Sequence, residues 1–264
     1  MSIHPTLARP LHGLVWRGLL IGLLAAAGAW AGLPSPIAWA ATITVNTTTD
    51  EYNSDGDCSL REAIIAANTN AARDACPAGQ ATATDAITLA DGAVYALALA
   101  GAEDLAHSGD LDIQHNTAAL DVLIQVAGGG HATIAQDPTL GESIFALLAS
   151  ASLEIDDVTL TGGRTASGSG GGVTVVPSGT FLTLRRCTLT DNRAGNLGGA
   201  LLVGGTLDLQ DSLVAKNGAA KGAGAMLVLA TGFAQISGSV FFDNDGGSQG
   251  AGGATAGPAT KEGR

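Results

Sequence analysis

The clearest pattern in the chain is an alternation of apolar and polar positions that recurs between Leu153 and Gly250. Four segments align: LEIDDVTLTGG from Leu153, LTLRRCTLTDN from Leu182, LDLQDSLVAKN from Leu207 and AQISGSVFFDN from Ala234, with starts 29, 25 and 27 residues apart. Between them a second element repeats: GGGVTV from Gly170, GGALLV from Gly198 and GAGAMLV from Gly222. Apolar residues fall on alternate positions, as at Leu182 and Leu184 and again at Cys187 and Leu189, which predicts short strands with one buried face. Each period reads as Gly-rich turn, strand, Gly turn, strand, polar turn, strand.

Strands this short at a period in the twenties leave few architectures. A propeller blade needs about 40 or more residues, and a leucine-rich repeat needs its Leu/Asn consensus. The pattern predicts an all-β, right-handed parallel β-helix, a solenoid whose coils stack at ~4.8 Å so that equivalent side chains lie above one another. Val158, Cys187, Ser212 and Ser239 would then form one inward column, and Leu160, Leu189, Val214 and Phe241 its neighbour. Asn192, Asn217 and Asn244 would align in a bend, where amides can ladder and satisfy turning backbone. Weaker coils from Asp85 and Gly109 extend the solenoid over residues 85–250, with residues 251–264 a disordered or truncated tail.

A solenoid must cover its ends. Residues 41–84 read as that cap: Thr42 to Thr47 as a first strand, then a helix opened by Ser59 and Glu62 at capping-box spacing, with Leu60, Ala63, Ile64 and Ala67 on one face.

Charge divides the chain in two. The first carboxylate is Glu51, and residues 1–40 carry Arg9 and Arg17, an apolar run from Gly18 to Ala31 and an Ala38-Trp39-Ala40 cleavage site, which together predict a signal peptide. An uncleaved anchor is the competing reading, but the apolar run is shorter than the ~20 residues a span needs and Pro34 and Pro36 follow it. Of 12 Lys and Arg the leader takes two, which leaves ten against 24 Asp and Glu, a net charge of −14. That balance excludes nucleic acid as a partner and anchoring on anionic lipid by charge, and no membrane span is expected after leader removal.

Export to an oxidising compartment makes Cys58 and Cys76 a predicted disulfide, stabilising by ~3 kcal/mol through loop closure. Cys187 lies in a strand pattern with no His near it in sequence and reads as core, not nucleophile.

The run CSLREAIIAAN, Cys58 to Asn68, resembles the N-terminal signature of the CSLREA-domain family of exported bacterial β-helix proteins. The similarity continues through Cys76-Pro77-Ala78-Gly79, Asp85-Ala86-Ile87 and Gly109-Asp110-Leu111-Asp112-Ile113. Gly199-Ala200-Leu201 and Phe241-Phe242-Asp243-Asn244 are similar to the GGAI and FxxN repeats of polymorphic outer-membrane proteins. The resemblance implies a pectin-lyase-like β-helix that is secreted, on the cell surface or associated with the outer membrane, and implies no defined reaction.

Two constellations could carry chemistry. Glu51 to Glu62 places oxygen ligands Glu51, Asn53, Asp55 and Glu62 at positions 1, 3, 5 and 12 of a calcium-loop pattern, with Gly56 at 6; the competing reading is a plain capped turn. Outward Asp156, Asp157, Asp208 and Asp211 with Arg185 and Arg186 one coil away could form the acid-base-acid strip of a lyase; the competing reading is cross-coil charge pairing. His107, His115 and His131 are scattered, and no G-x-S-x-G, phosphate-loop or dinucleotide fingerprint occurs. The expected function is a non-enzymatic adhesin-like or structural module binding glycans or proteins, without cofactor save possible calcium in the cap. The alternatives are a pectin/pectate-lyase-type enzyme or glycoside hydrolase, and a fragment without independent function.

Overall fold

The computed structural model describes residues 41–114, 122–148 and 150–247, together with the backbone of a strand Thr255–Ala256. The predicted leader, His115 and most of the predicted tail lie outside the described residues.

Three parallel sheets wind into a β-helix. The first face stacks seven strands: Thr42–Thr44, Asp85–Leu89, Val122–Val126, Ser152–Asp156, Phe181–Arg185, Thr206–Gln210 and Phe233–Ser237. The second stacks six: Val94–Leu97, Ala132–Gln136, Val158–Thr161, Thr188–Thr190, Leu213–Ala215 and Val240–Phe242. The third stacks Leu111–Ile113, Phe145–Leu147, Val173–Val175, Leu201–Val203, Met226–Val228 and Thr255–Ala256. Every ladder pairs strands from successive coils, so each side chain meets its counterpart one coil away.

The register follows the sequence repeats. Leu153, Leu182, Leu207 and Ala234 stand opposite one another on the first face. Leu160, Leu189, Val214 and Phe241 do so on the second; the first three are fully buried and Phe241 is half-buried at the last coil. Beside them the Ser212 Oγ accepts the Cys187 N–H at 3.0 Å, and the Ser239 Oγ accepts the Ser212 N–H at 3.1 Å. A hydroxyl can therefore sit in an inward column because it takes up a main-chain donor at the bend.

The Asn column is a continuous amide ladder. Asn217 Oδ1 accepts from the Asn192 N–H at 3.0 Å and from its Nδ2 at 3.1 Å, and Asn244 Oδ1 does the same for Asn217 at 3.1 and 3.0 Å. Each Nδ2 also donates to a carbonyl one coil back: Leu160, Leu189 and Val214 respectively. The residues just before these amides, Asp191, Lys216 and Asp243, are left-handed, which makes the sharp bend that turns each side chain inward. One coil earlier the column ends on Gly163, whose N–H donates to Asn192 Oδ1 at 3.0 Å.

Three features differ from the pattern-based reading. A fourth, three-stranded sheet of two-residue strands, Arg164–Thr165, Arg193–Ala194 and Gly218–Ala219, follows the Asn bend; two residues are too few for alternation to register. The Gly-rich element starting at Gly222 is offset by one, since Met226 pairs with Leu201; Ala223, φ 50°, takes the left-handed place of Gly170 and Gly198. The cap helix, Leu60–Thr69, is buried all round its first eight residues instead of along one stripe.

That helix carries the predicted capping box: the Ser59 Oγ accepts from the Glu62 N–H at 3.2 Å and Glu62 Oε2 accepts from the Ser59 N–H at 3.2 Å. One side packs on the strands Asp85–Leu89 and Leu111–Ile113, with the Asn68 Nδ2 donating to the Asp112 carbonyl at 2.8 Å. Two turns before Asn68 on the same helical face, Arg61, 1% exposed, is clamped by Asp50 at 2.7 and 3.1 Å and donates to the carbonyls of Ala106, Gly109 and Asp110. Cys58 and Cys76 form the disulfide, Cα atoms 4.9 Å apart, and both are buried beside the helix start.

Candidate functional site

The acid-base strip lies where the first face turns into the second. Asp157, Arg186 and Asp211 are all left-handed, so their side chains project from the bend. Arg186 makes a two-pronged contact with Asp157, Nε to Oδ1 at 2.9 Å and Nη2 to Oδ2 at 2.8 Å, and its Nη2 also lies 2.5 Å from Asp156. Arg185 pairs with Glu154. Both guanidiniums thus turn to the preceding coil, and among the described residues neither pairs with Asp208 or Asp211. Asp208 instead accepts from the Gln210 Nε2 at 2.7 Å. Hydrogen bonds from Arg186 to Asp157 and Asp156 raise its pKa further, so this guanidinium cannot accept a proton.

The cap loop regroups the predicted calcium ligands. Asn53 uses its Nδ2 to bridge Glu51, 2.9 Å, and Asp55, 3.1 Å, so a donor stands between the two carboxylates. Glu62 spends Oε1 on the Asn53 N–H at 3.1 Å and Oε2 on Ser59, within the capping box. Oxygens of Glu51, Asp55 and Asp57 come within 4.8 Å of one another, as do those of Asp57, Glu62 and Asp74. Burial, with the charges of Asp55 and Asp57, pushes the Glu51 carboxyl up. Asp74 is held low by the Gly56 and Asp55 N–H groups it accepts from, at 2.9 and 3.0 Å. His107 stacks on Tyr52 with ring centroids 4.2 Å apart, while the His131 Nε2 meets the Thr159 Oγ1 at 2.7 Å; the two lie in unrelated surroundings.

No family model, curated protein or solved structure matches this chain.

The site that pattern reading missed lies under the cap. Asp110 and Asp112 alternate with inward Leu111 and Ile113 and so read as solvent-facing, yet Asp112 is 1% exposed because the helix and the loop before it cover that strand. Burial, then the charge of Asp110, pushes the Asp112 carboxyl up to about 8, while its Oδ2 accepts the Ala106 N–H at 3.0 Å. Asp110 is pushed up to about 6, again chiefly by burial, against a 2.9 Å hydrogen bond from the Ser143 Oγ. Asp110, Glu142 and Ser143 line an open cavity of about 260 Å³. The available signal is the pair of carboxylates in GDLDI, Asp112 within the strand and Asp110 just before it. Cys187 is the opposite case: burial pushes its thiol up to about 12, and its Sγ donates to the Ile155 carbonyl at 3.3 Å, as befits a core residue.

Among the described residues no helix is long and apolar enough to cross a membrane.

Proposed function

We propose that this protein is an exported β-solenoid, secreted or held at the cell surface or outer membrane, that works without catalysis as an adhesin-like or structural module. Its outer faces bind glycans or proteins. The resemblance of Cys58 to Asn68 to CSLREA-domain proteins supports export, and the acidic surface supports a partner other than nucleic acid. The observation that carries the non-catalytic reading is the closure of the acid-base strip on itself. Arg186 is paired with both Asp157 and Asp156, and Arg185 with Glu154, which leaves cross-coil lacing where a lyase needs a free base. A binding surface is supported by exposed Leu213, Val240 and Phe242 on the second face, the first two in register on adjacent coils.

A second reading, a carbohydrate-active enzyme, is favoured by the cavity that holds Asp110 and Glu142. A carboxyl whose pKa is raised to about 6 beside another carboxylate has the character of a general acid. The two readings separate when the full chain is incubated with acidic and neutral polysaccharides, with and without calcium. Ultraviolet absorbance then reports unsaturated products, and reducing-end release reports hydrolysis. The binding reading expects retention on a polysaccharide with no product. Product that disappears in Asp110→Asn, or in Asp156→Ala or Arg185→Ala, overturns it.

A further inference from the structure

Arginines among the described residues meet their cross-coil neighbours in two opposite ways. On the first face Arg185 stands in register with Asp156, a residue of opposite sign. On the short fourth sheet Arg164 stands in register with Arg193, so the same sign repeats. Like charges directly opposite destabilise a strand pair, and a chain with 24 Asp and Glu offers ample carboxylates to relieve them. None is supplied: among the described residues neither Arg164 nor Arg193 forms an ion pair, whereas Arg61, Arg73, Arg185 and Arg186 all do.

Both side chains are exposed and line one open cavity of about 330 Å³. The next coil places Gly218 in the same column, and a Cβ there would lie 2.8 Å from the Arg193 Nη1; glycine leaves room for that guanidinium along the groove floor. Thr165 lines the cavity too, and its buried Oγ1 has no hydrogen-bond partner. Two guanidiniums without an ion pair therefore line one space.

The number of donors selects the ligand chemistry. One guanidinium saturates a carboxylate, as Arg186 does Asp157. Two of them one coil apart, ~4.8 Å, suit a group with three free oxygens, such as a sulfate or phosphate ester. The flanks are acidic. Asp245 lines the same cavity, and Asp110 and Glu142 line the neighbouring one, which shares Thr165 and Ala166 with it. A uniformly charged polyanion would be repelled there, whereas a glycan with spaced esters would not. We propose that the Arg164–Arg193 groove binds a single sulfate or phosphate ester carried on a surface glycan. This rests on the glycan-binding reading given above and names the chemistry of the ligand.

The test is calorimetric titration of the full chain at low salt with a sulfated galactan, its desulfated form, a phosphate-ester mannan and polygalacturonate. Binding is expected to the sulfated galactan or the phosphomannan, whichever carries the fitting ester. It should be at least about tenfold weaker to the desulfated galactan and polygalacturonate, and at least about tenfold weaker in Arg164→Gln and in Arg193→Gln. Both arginines are exposed and face a like charge, so the variants should melt at or slightly above the parent. Equal binding of the sulfated and desulfated galactans, or unchanged binding by the double variant, overturns the ester site while leaving the glycan reading in place. Silence toward all four polysaccharides overturns the glycan reading. If inorganic sulfate then still raises the melting temperature of the parent and not of the double variant, the anion site stands alone, so the two failures separate.

Discussion

Asn217 is the middle rung of the amide ladder and gives the sharpest test of what holds the coils in register. It is 1% exposed. Its Oδ1 satisfies the Asn192 N–H, and its Nδ2 serves the carbonyls of Leu189 and Ala215, at 2.9 and 3.0 Å. Asn217→Ala removes all of these at once at a position closed to bulk solvent. Each buried main-chain group left without a partner costs about 1–3 kcal/mol, so two or three of them amount to roughly 3–6 kcal/mol. Asn244→Ala is the control: that residue is half-buried at the last coil, water can reach its partners, and roughly 1–2 kcal/mol is expected. Asn217→Asp keeps the acceptor but faces the same carbonyls with a carboxylate, and should be about as damaging as alanine at neutral pH. Urea titrations of the full chain, followed by far-ultraviolet circular dichroism with the disulfide intact, measure all three. If Asn217→Ala costs under about 1 kcal/mol, or no more than Asn244→Ala, the ladder does not satisfy buried backbone and the reasoning fails.

Three further outcomes are expected. Asp112 and Asp110 titrate near 8 and 6 when folded against 3.8 as their ordinary value, so the folded chain keeps protons that the unfolded chain has released. Their contribution is complete below about pH 4 and is lost as pH rises toward 8, with a slope on the order of 1.4 kcal/mol per pH unit per retained proton. Urea midpoints should fall between pH 5 and 8, and Asp112→Asn, which mimics the neutral acid, should flatten that fall; a midpoint that rises through this window refutes it. Arg61→Ala takes the counter-charge from the Asp50 carboxylate, whose side chain is 2% exposed, and leaves it only the Ala98 and Leu99 N–H groups at 2.7 and 2.8 Å, so it should cost about 3–5 kcal/mol in the same titration. Replacing Cys58 and Cys76 together by alanine should cost about 3 kcal/mol and open the cap loop to limited proteolysis, while cleavage that first appears in the coils would place the weak point elsewhere.

Much of this molecule is legible from alternation and spacing alone. The intervals between Leu153, Leu182, Leu207 and Ala234 are register statements, because a slip of one residue would turn every buried side chain outward. The same holds for the Asn column and for the capping box at Ser59 and Glu62, whose partners lie within three residues or at equivalent places in the next coil. What periodicity cannot express is the covering of one segment by another far away in the chain. Asp112 reads as an outward polar residue and is held neutral under the cap helix; Arg61 and Glu62 read as the wet side of that helix and are buried. The alignment of Arg164 with Arg193 likewise arises only when the Asn bend sets two short strands side by side. Local pattern determined which residues face inward and at what interval, since those depend on backbone geometry alone. Tertiary structure decided which polar groups lose water or meet across coils, since desolvation and charge proximity depend on what lies nearby in space.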